Sequence, residues 1–233
     1  MSEAIRDRLL RIRQRIALAA QRSERTAEDI TLIAVSKTFD PHTVQQAVDA
    51  GARDLGENRI QEALSKVGHV NGGVRWHLIG HLQSNKARQA IETFEVIHTI
   101  DSVQLVERLD RIAGELNRRP DVLVQVDLAH EPTKSGADER GLPAVIETLD
   151  AARHLNFRGL MTLPPFFETP EQTRPFFRRL RELIESLNRN RESGRQLKEL
   201  SMGMSNDFEV AIEEGATMVR VGTAIFGNRE VND

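Results

Sequence analysis

Residues 31–66 read TLIAVSKTFDPHTVQQAVDAGARDLGENRIQEALSK and carry one pattern twice. The short apolar run Thr31–Ser36 is followed by a helix-like stretch, Pro41–Ala50, and the run Arg53–Glu57 by another, Arg59–Lys66. The alternation continues outward from there. Further short runs lie at Val74–Ile79, Glu95–Ile100, Val122–Leu128, Phe157–Leu163, Glu199–Met202 and Met218–Val221. Helix-like stretches at Asn85–Thr93, Ser102–Arg118, Asp138–Ala152, Glu171–Asn190 and Asp207–Glu214 separate them. Strands alternating with helices imply parallel βα units, and eight of these fit a closed (β/α)8 barrel better than an open doubly wound sheet. Upstream, Ile5, Leu9, Ile12 and Ile16 recur at helical spacing, which predicts an amphipathic helix over residues 2–22 packed on the barrel. Its acidic Glu3 and Asp7 argue against a transit peptide.

The expected organisation is a single α/β domain over residues 1–233, since α/β barrels commonly run to about 250 residues as one unit. With no cysteine, disulfide scaffolds, zinc ribbons, iron–sulfur clusters and thiol nucleophiles are excluded, and a cytoplasmic setting is expected. A net charge of −3 argues against a dedicated nucleic-acid binder. No apolar run approaches the ~20 residues of a membrane span. Tyrosine is absent, so the chain has no phenol to use as an acid or base. Of its 32 basic residues only Lys37, Lys66, Lys86, Lys134 and Lys198 are lysines. A lysine in apolar surroundings therefore stands out, because it can become a neutral amine nucleophile as arginine cannot.

Barrel active sites form at the C-terminal ends of the strands, with phosphate usually bound after the seventh and eighth. The first apolar run ends in Lys37, placing an amine at that mouth, where burial would favour a Schiff base. After the seventh run, Ser201-Met202-Gly203-Met204-Ser205-Asn206-Asp207 leads into a helix, where Ser205 suits either a phosphate or a simple N-cap. The eighth run contains Arg220, a cation that needs a polar partner, followed by Gly222-Thr223. Amine, phosphate cradle and ring-nitrogen partner are the parts that pyridoxal 5′-phosphate (PLP) requires. A PLP-dependent amino-acid racemase and a Schiff-base phosphosugar aldolase using Lys37 remain as alternatives. No metal is expected: His77 and His81 are four apart, but on a strand that is about 13 Å, too far for one ion. The arginines between Arg174 and Arg195 are interspersed with Glu171, Glu182, Glu185 and Glu192, as on a solvated helix face.

The resemblance rests on longer motifs. These are Ala34-Val35-Ser36-Lys37-Thr38, Gly56-Glu57-Asn58, Trp76-His77-Leu78-Ile79-Gly80-His81-Leu82-Gln83-Ser84-Asn85-Lys86, Gly159-Leu160-Met161-Thr162-Leu163-Pro164-Pro165, Leu200-Ser201-Met202-Gly203-Met204-Ser205 and Val219-Arg220-Val221-Gly222-Thr223-Ala224-Ile225-Phe226-Gly227. In type and order they resemble the pyridoxal phosphate homeostasis protein family over nearly the whole chain. The resemblance implies a barrel like that of alanine racemase, without that enzyme's C-terminal domain. It implies that PLP is bound as an aldimine of Lys37, with Ser205, Gly222 and Thr223 on the phosphate and Arg220 facing the pyridine nitrogen. Asn58, His81, Asn85 and Met202 are expected at the mouth. A role in vitamin B6 and amino-acid homeostasis without efficient catalysis follows, in a monomer whose partners would be PLP-dependent apoenzymes, not nucleic acid or membrane. A cation at the ring nitrogen leaves the pyridine a poor electron sink, which suits a carrier better than a transaminase. The chain departs from the family at Arg59, where tyrosine is common, at His81, where proline is common, and at Asp127 and Ala129, while Lys134 and Gly136 remain.

Overall fold

The computed structural model describes residues 2–129 and 135–227. Eight strands, β1 (Thr31–Val35), β2 (Asp54–Glu57), β3 (Arg75–Leu78), β4 (Val96–Ile100), β5 (Asp121–Gln125), β6 (Asn156–Met161), β7 (Glu199–Met204) and β8 (Met218–Val221), close into a barrel in chain order. Pairing is parallel throughout, and β8 returns to β1 with Ile33 opposite Arg220. The expected (β/α)8 barrel is therefore the fold.

Alternate residues of each strand serve two cores. Ile33, Val96, Leu123, Met161 and Met218 fill the barrel interior. Ala34, Leu55, Leu78, Ile97 and Leu160 face the other way, into a larger apolar layer beneath the helices α2 (Pro41–Asp49), α3 (Ile60–Val67), α4 (Ala87–Thr93), α5 (Val103–Glu115), α6 (Leu142–Ala151), α7 (Arg174–Asn188) and α8 (Phe208–Glu213). The predicted N-terminal helix is α1 (Ser2–Arg22), with Ile5, Leu9, Ile12 and Ile16 all buried. It packs on α2, α8 and the short α9 (Thr223–Phe226). Its Arg8 donates to the carbonyls of Ile225 (2.6 Å) and Phe226 (3.2 Å). The last carbonyls of a helix have no partner within it, so Arg8 fastens α1 to the end of α9.

Local chemistry moves some boundaries. The fifth strand stops at Gln125, not Leu128, because Ala137 donates to the Gln125 carbonyl and accepts from Asp127, turning the chain away from the sheet. The stretch 171–190 divides into a 3-10 turn, Pro170–Thr173, and α7, whose first turn holds Pro175, a residue with no N–H to offer a preceding turn. At four residues α9 is too short to show a period in sequence. The arginines of α7 are ion-paired: Arg174, Arg178 and Arg181 converge on the buried Glu214, and Arg179 pairs with Glu139.

Candidate functional site

A cavity of about 440 Å³ opens at the C-terminal end of the barrel. Lys37, Asn58, Ser205, Arg220, Gly222 and Thr223 line it, together with Val35, Phe39, Ile79, Leu163 and the loop aromatics Phe166 and Phe167. Six of the nine sequence-derived positions thus meet on one surface. Lys37 comes from the turn after β1 and is half-buried.

The opposite wall is built by β7 and β8. Ser205 Oγ accepts from the N–H groups of Gly222 (3.3 Å) and Ala224 (3.5 Å), which ties the end of β7 to the start of α9. A Cβ on Gly222 would stand 3.2 Å from the Val35 carbonyl, so glycine keeps this corner open. Gly203 has φ +91°, and a Cβ there would meet Ala211 at 2.6 Å. The turn that aims Ser205 inward therefore needs glycine.

Arg220 is buried, donating from Nη1 to Ser201 Oγ (2.6 Å) and from Nη2 to the Thr162 carbonyl (2.9 Å). Burial pushes its pKa down to about 10, and the nearby Asp207 opposes that fall, so it stays a cation at neutral pH. Asp207, also on the cavity wall, accepts from the Met204 N–H (2.7 Å), while burial raises its own pKa.

Behind Arg220 a hydrogen-bonded column runs through the barrel interior. Ser201 Oγ lies 2.9 Å from His98 Nδ1, His98 Nε2 lies 2.9 Å from His77 Nδ1, and His77 Nε2 lies 2.9 Å from Asp54 Oδ1. Burial lowers both histidine pKa values, His98 furthest, because His77 and Arg220 add to the effect. Burial also pulls Asp54 up, but His77 and Arg75 outweigh it and hold the carboxyl below its ordinary value. With Asp54 ionised and both rings neutral, only one arrangement satisfies every contact. His77 donates from Nε2 to Asp54, His98 donates from Nε2 to His77, the Ser201 hydroxyl donates to His98, and Arg220 donates to Ser201. Every donor points away from the cavity, from a cation at one end to an anion at the other.

Three expected mouth residues lie elsewhere. Met202 points the other way along β7 and is fully buried in the barrel–helix layer, because alternation carries it to the outer face. His81 is exposed, with Nδ1 3.5 Å from Asp101, in a neighbouring groove of about 420 Å³ with Arg59 and Lys86. Asn85 is exposed on the 3-10 turn Ser84–Lys86, outside both cavities. Asp127 accepts from the Ala129 N–H, and Lys134 lies outside the described residues. Among the described residues no group of three or more His, Asp or Glu side chains could hold a metal, and no helix is long and apolar enough to cross a membrane. The sequence pattern does not single out Asp54 or His98, offers His77 only as a metal ligand to be set aside, and carries Ser201 and Asp207 only within the loop after the seventh run. The available signal was polar residues in otherwise apolar strands, His77 and His98 above all.

A closed, parallel eight-stranded barrel is the architecture of the alanine racemase N-terminal-domain type, and here it carries an amine after β1 and a serine–glycine–threonine corner after β7 and β8. The family model described as "Alanine racemase, N-terminal domain" matches residues 8–230. A pyridoxal phosphate homeostasis protein of Aquifex aeolicus is 40% identical over 96% of this chain and 98% of its own length. The Synechococcus elongatus protein PipY, solved with PLP bound, is 40% identical, with a TM-score of 0.83 over 96% of this chain and all of PipY. Alanine racemase of Clostridium difficile shares the fold, with a TM-score of 0.71 at 17% identity, and this chain covers 57% of it. The chain belongs to the pyridoxal phosphate homeostasis protein family.

Proposed function

We propose that this chain binds PLP in the mouth cavity, as an imine of Lys37, and serves vitamin B6 and amino-acid homeostasis as a carrier without efficient turnover. The observation that carries the reading is the meeting of Lys37, the Ser205–Gly222–Thr223 corner and buried Arg220 on one cavity. Those residues fit the group: an amine for the aldehyde, hydroxyl and backbone donors for the phosphate, and a fixed cation for the ring nitrogen. When bound, PLP supplies a conjugated ring able to accept electrons from an attached amino acid. The chain's part is to bind and orient. Arg220 stays protonated and keeps the ring nitrogen without a proton, which favours holding the cofactor over reacting through it. The PLP-bound structure of the relative PipY supports the same reading. Transfer to PLP-dependent apoenzymes and a monomeric state belong to this proposal.

The test is absorbance of purified protein with PLP, followed by borohydride reduction and mass spectrometry. A visible imine band and a pyridoxyl adduct on Lys37 are expected, and Lys37→Ala should lose both while remaining folded. A main adduct on Lys86 or Lys134, or no band at all, overturns the assignment.

A further inference from the structure

The turn that presents Lys37 is gripped on both sides. Ser36, just before it, is fully buried, and its Oγ donates to Glu57 Oε1 at 2.6 Å. The Ser36 carbonyl accepts from Lys66 Nζ (2.8 Å) and from the Phe39 N–H (3.1 Å). Thr38, just after Lys37, donates its N–H to Glu62 Oε2 at 2.8 Å. Glu62 and Lys66 lie four residues apart, on one face of α3. A single helix thus holds the backbone before and after the amine.

The backbone held in this way is strained. The Phe39-to-Ser36 hydrogen bond closes a turn with Lys37 and Thr38 at its centre, and Thr38 has φ +70°. That position in such a turn favours glycine, and a β-branched residue there is uncommon. Strain of this kind persists only where the surroundings impose it.

The buried ion pair needs a reason beyond stability. Lys66 Nζ and Glu57 Oε1 are 2.6 Å apart, with both side chains almost inaccessible. Burial raises the Glu57 pKa despite Lys66 and Ser36, and its second oxygen, Oε2, is buried without a partner. An apolar pair of similar volume is often as stable as a buried salt bridge. What an apolar pair cannot do is hold a carbonyl and a hydroxyl in fixed directions. Here Lys66 and Glu57 hold those of Ser36.

We propose that Glu62, Lys66 and Glu57 form a positioning clamp that holds the Ser36–Phe39 turn in one strained conformation and so aims the Lys37 amine into the cavity. The inference rests on the reading of Lys37 given above. The clamp restricts the direction of attack on an aldehyde, in which the amine adds to the carbonyl carbon and water leaves as the imine forms. None of its three residues lines the cavity.

The test compares Glu62→Ala, Glu62→Gln and the double variant Glu57→Gln/Lys66→Met with the unaltered protein. The readouts are the rate of imine formation with PLP, affinity for 4-deoxypyridoxine 5′-phosphate, which has no aldehyde, and amide exchange at Thr38 without ligand. Glu62→Ala and the double variant should slow imine formation tenfold or more while analogue affinity stays within twofold. Glu62→Gln, which keeps an acceptor, should restore most of the rate. Thr38 exchange should accelerate in Glu62→Ala. Unchanged imine rates, or equal losses for PLP and the analogue, overturn the clamp. If the unaltered protein forms no imine, the reading of Lys37 falls, and unaltered Thr38 exchange in Glu62→Ala would then remove the clamp as well.

Discussion

Arg220 stays charged in a fully buried position because Ser201, Thr162 and the carboxylate of Asp207 compensate for its lost hydration. A fixed cation of this kind discourages protonation of a pyridine nitrogen, so a carbanion on an attached amino acid would be poorly delocalised. Two-sided proton transfer needs a second base as well, and the chain has no tyrosine to act opposite Lys37. A positioned acid or base is typically worth about 10²–10⁴-fold. Alanine and serine should accordingly perturb the imine spectrum while inverting only at a trace rate. Chiral analysis in deuterated buffer checks this, and turnover of about one per second, within the ordinary enzyme range, would reject the carrier reading. At the other end of the cavity, replacing Ser205 and Thr223 together by alanine should weaken PLP far more than pyridoxal, since only PLP carries the phosphate. A lost hydrogen bond to a charged group is worth about 1.5–3 kcal/mol, tenfold or more each. Equal losses by titration would place the phosphate elsewhere.

Among the elements, α1 shows how a helix outside the barrel repeat can bear on the site. Its buried stripe docks on α2, α8 and α9, Arg15 and Arg22 pair with Glu209 and Glu213 of α8, and Arg8 holds the end of α9. Since α8 and α9 follow the loops that carry Ser205 and Gly222-Thr223, the helix buttresses that corner of the cavity from outside. Leu9 is 1% exposed at the centre of the contact. Leu9→Ala should destabilise the fold by about 2–5 kcal/mol, through lost transfer energy and the cavity left behind. Urea unfolding measures it. A loss below about 1 kcal/mol would show that α1 unfolds apart from the barrel. The stripe Ile5, Leu9, Ile12, Ile16 was plain in sequence, because a 3.6-residue period needs no knowledge of the partner. The docking of Arg8 on α9 was not, because it joins residues more than two hundred positions apart.

For the molecule as a whole, the buried column sets a pH dependence. His77 and His98 have folded pKa values below the ordinary 6.5, so the unfolded chain binds more protons than the folded one below about pH 6.5. Their contribution to stability is complete above that pH and is lost as the pH falls toward their folded values. Each histidine gives a slope of up to about 1.4 kcal/mol per pH unit. Glu57 acts in the opposite sense, because its raised pKa favours the folded state at low pH and loses that contribution as the pH rises through its folded value. Asp207, also raised by burial, acts in the same sense as Glu57. Both carboxyls start from ordinary values of about 4, whereas the two histidines start from 6.5, so the histidines should dominate and leave a net loss of stability between about pH 6.5 and 5. His98→Gln should make it shallower. Urea unfolding across that range checks the sign, and a flat profile in the unaltered protein would show that the rings are not buried as neutral groups.

The barrel was readable from local pattern, since the eight-fold alternation of apolar runs and helical stretches depends only on neighbours in the chain. Lys37, Ser205, Arg220 and Gly222-Thr223 could be placed at the mouth in advance for a related reason: the strand ends of a barrel share one face. Met202 was misplaced because facing alternates residue by residue, and one step along β7 turns a side chain from the mouth to the outer layer. The column of Asp54, His77, His98 and Ser201 joins four strands, and its longest link spans 103 positions. The clamp on Lys37 likewise depends on how α3 docks beside β1 and β2. Contacts of this sort arise when the barrel closes and sets the register between distant strands, a step that leaves no periodic trace in the order of amino acids.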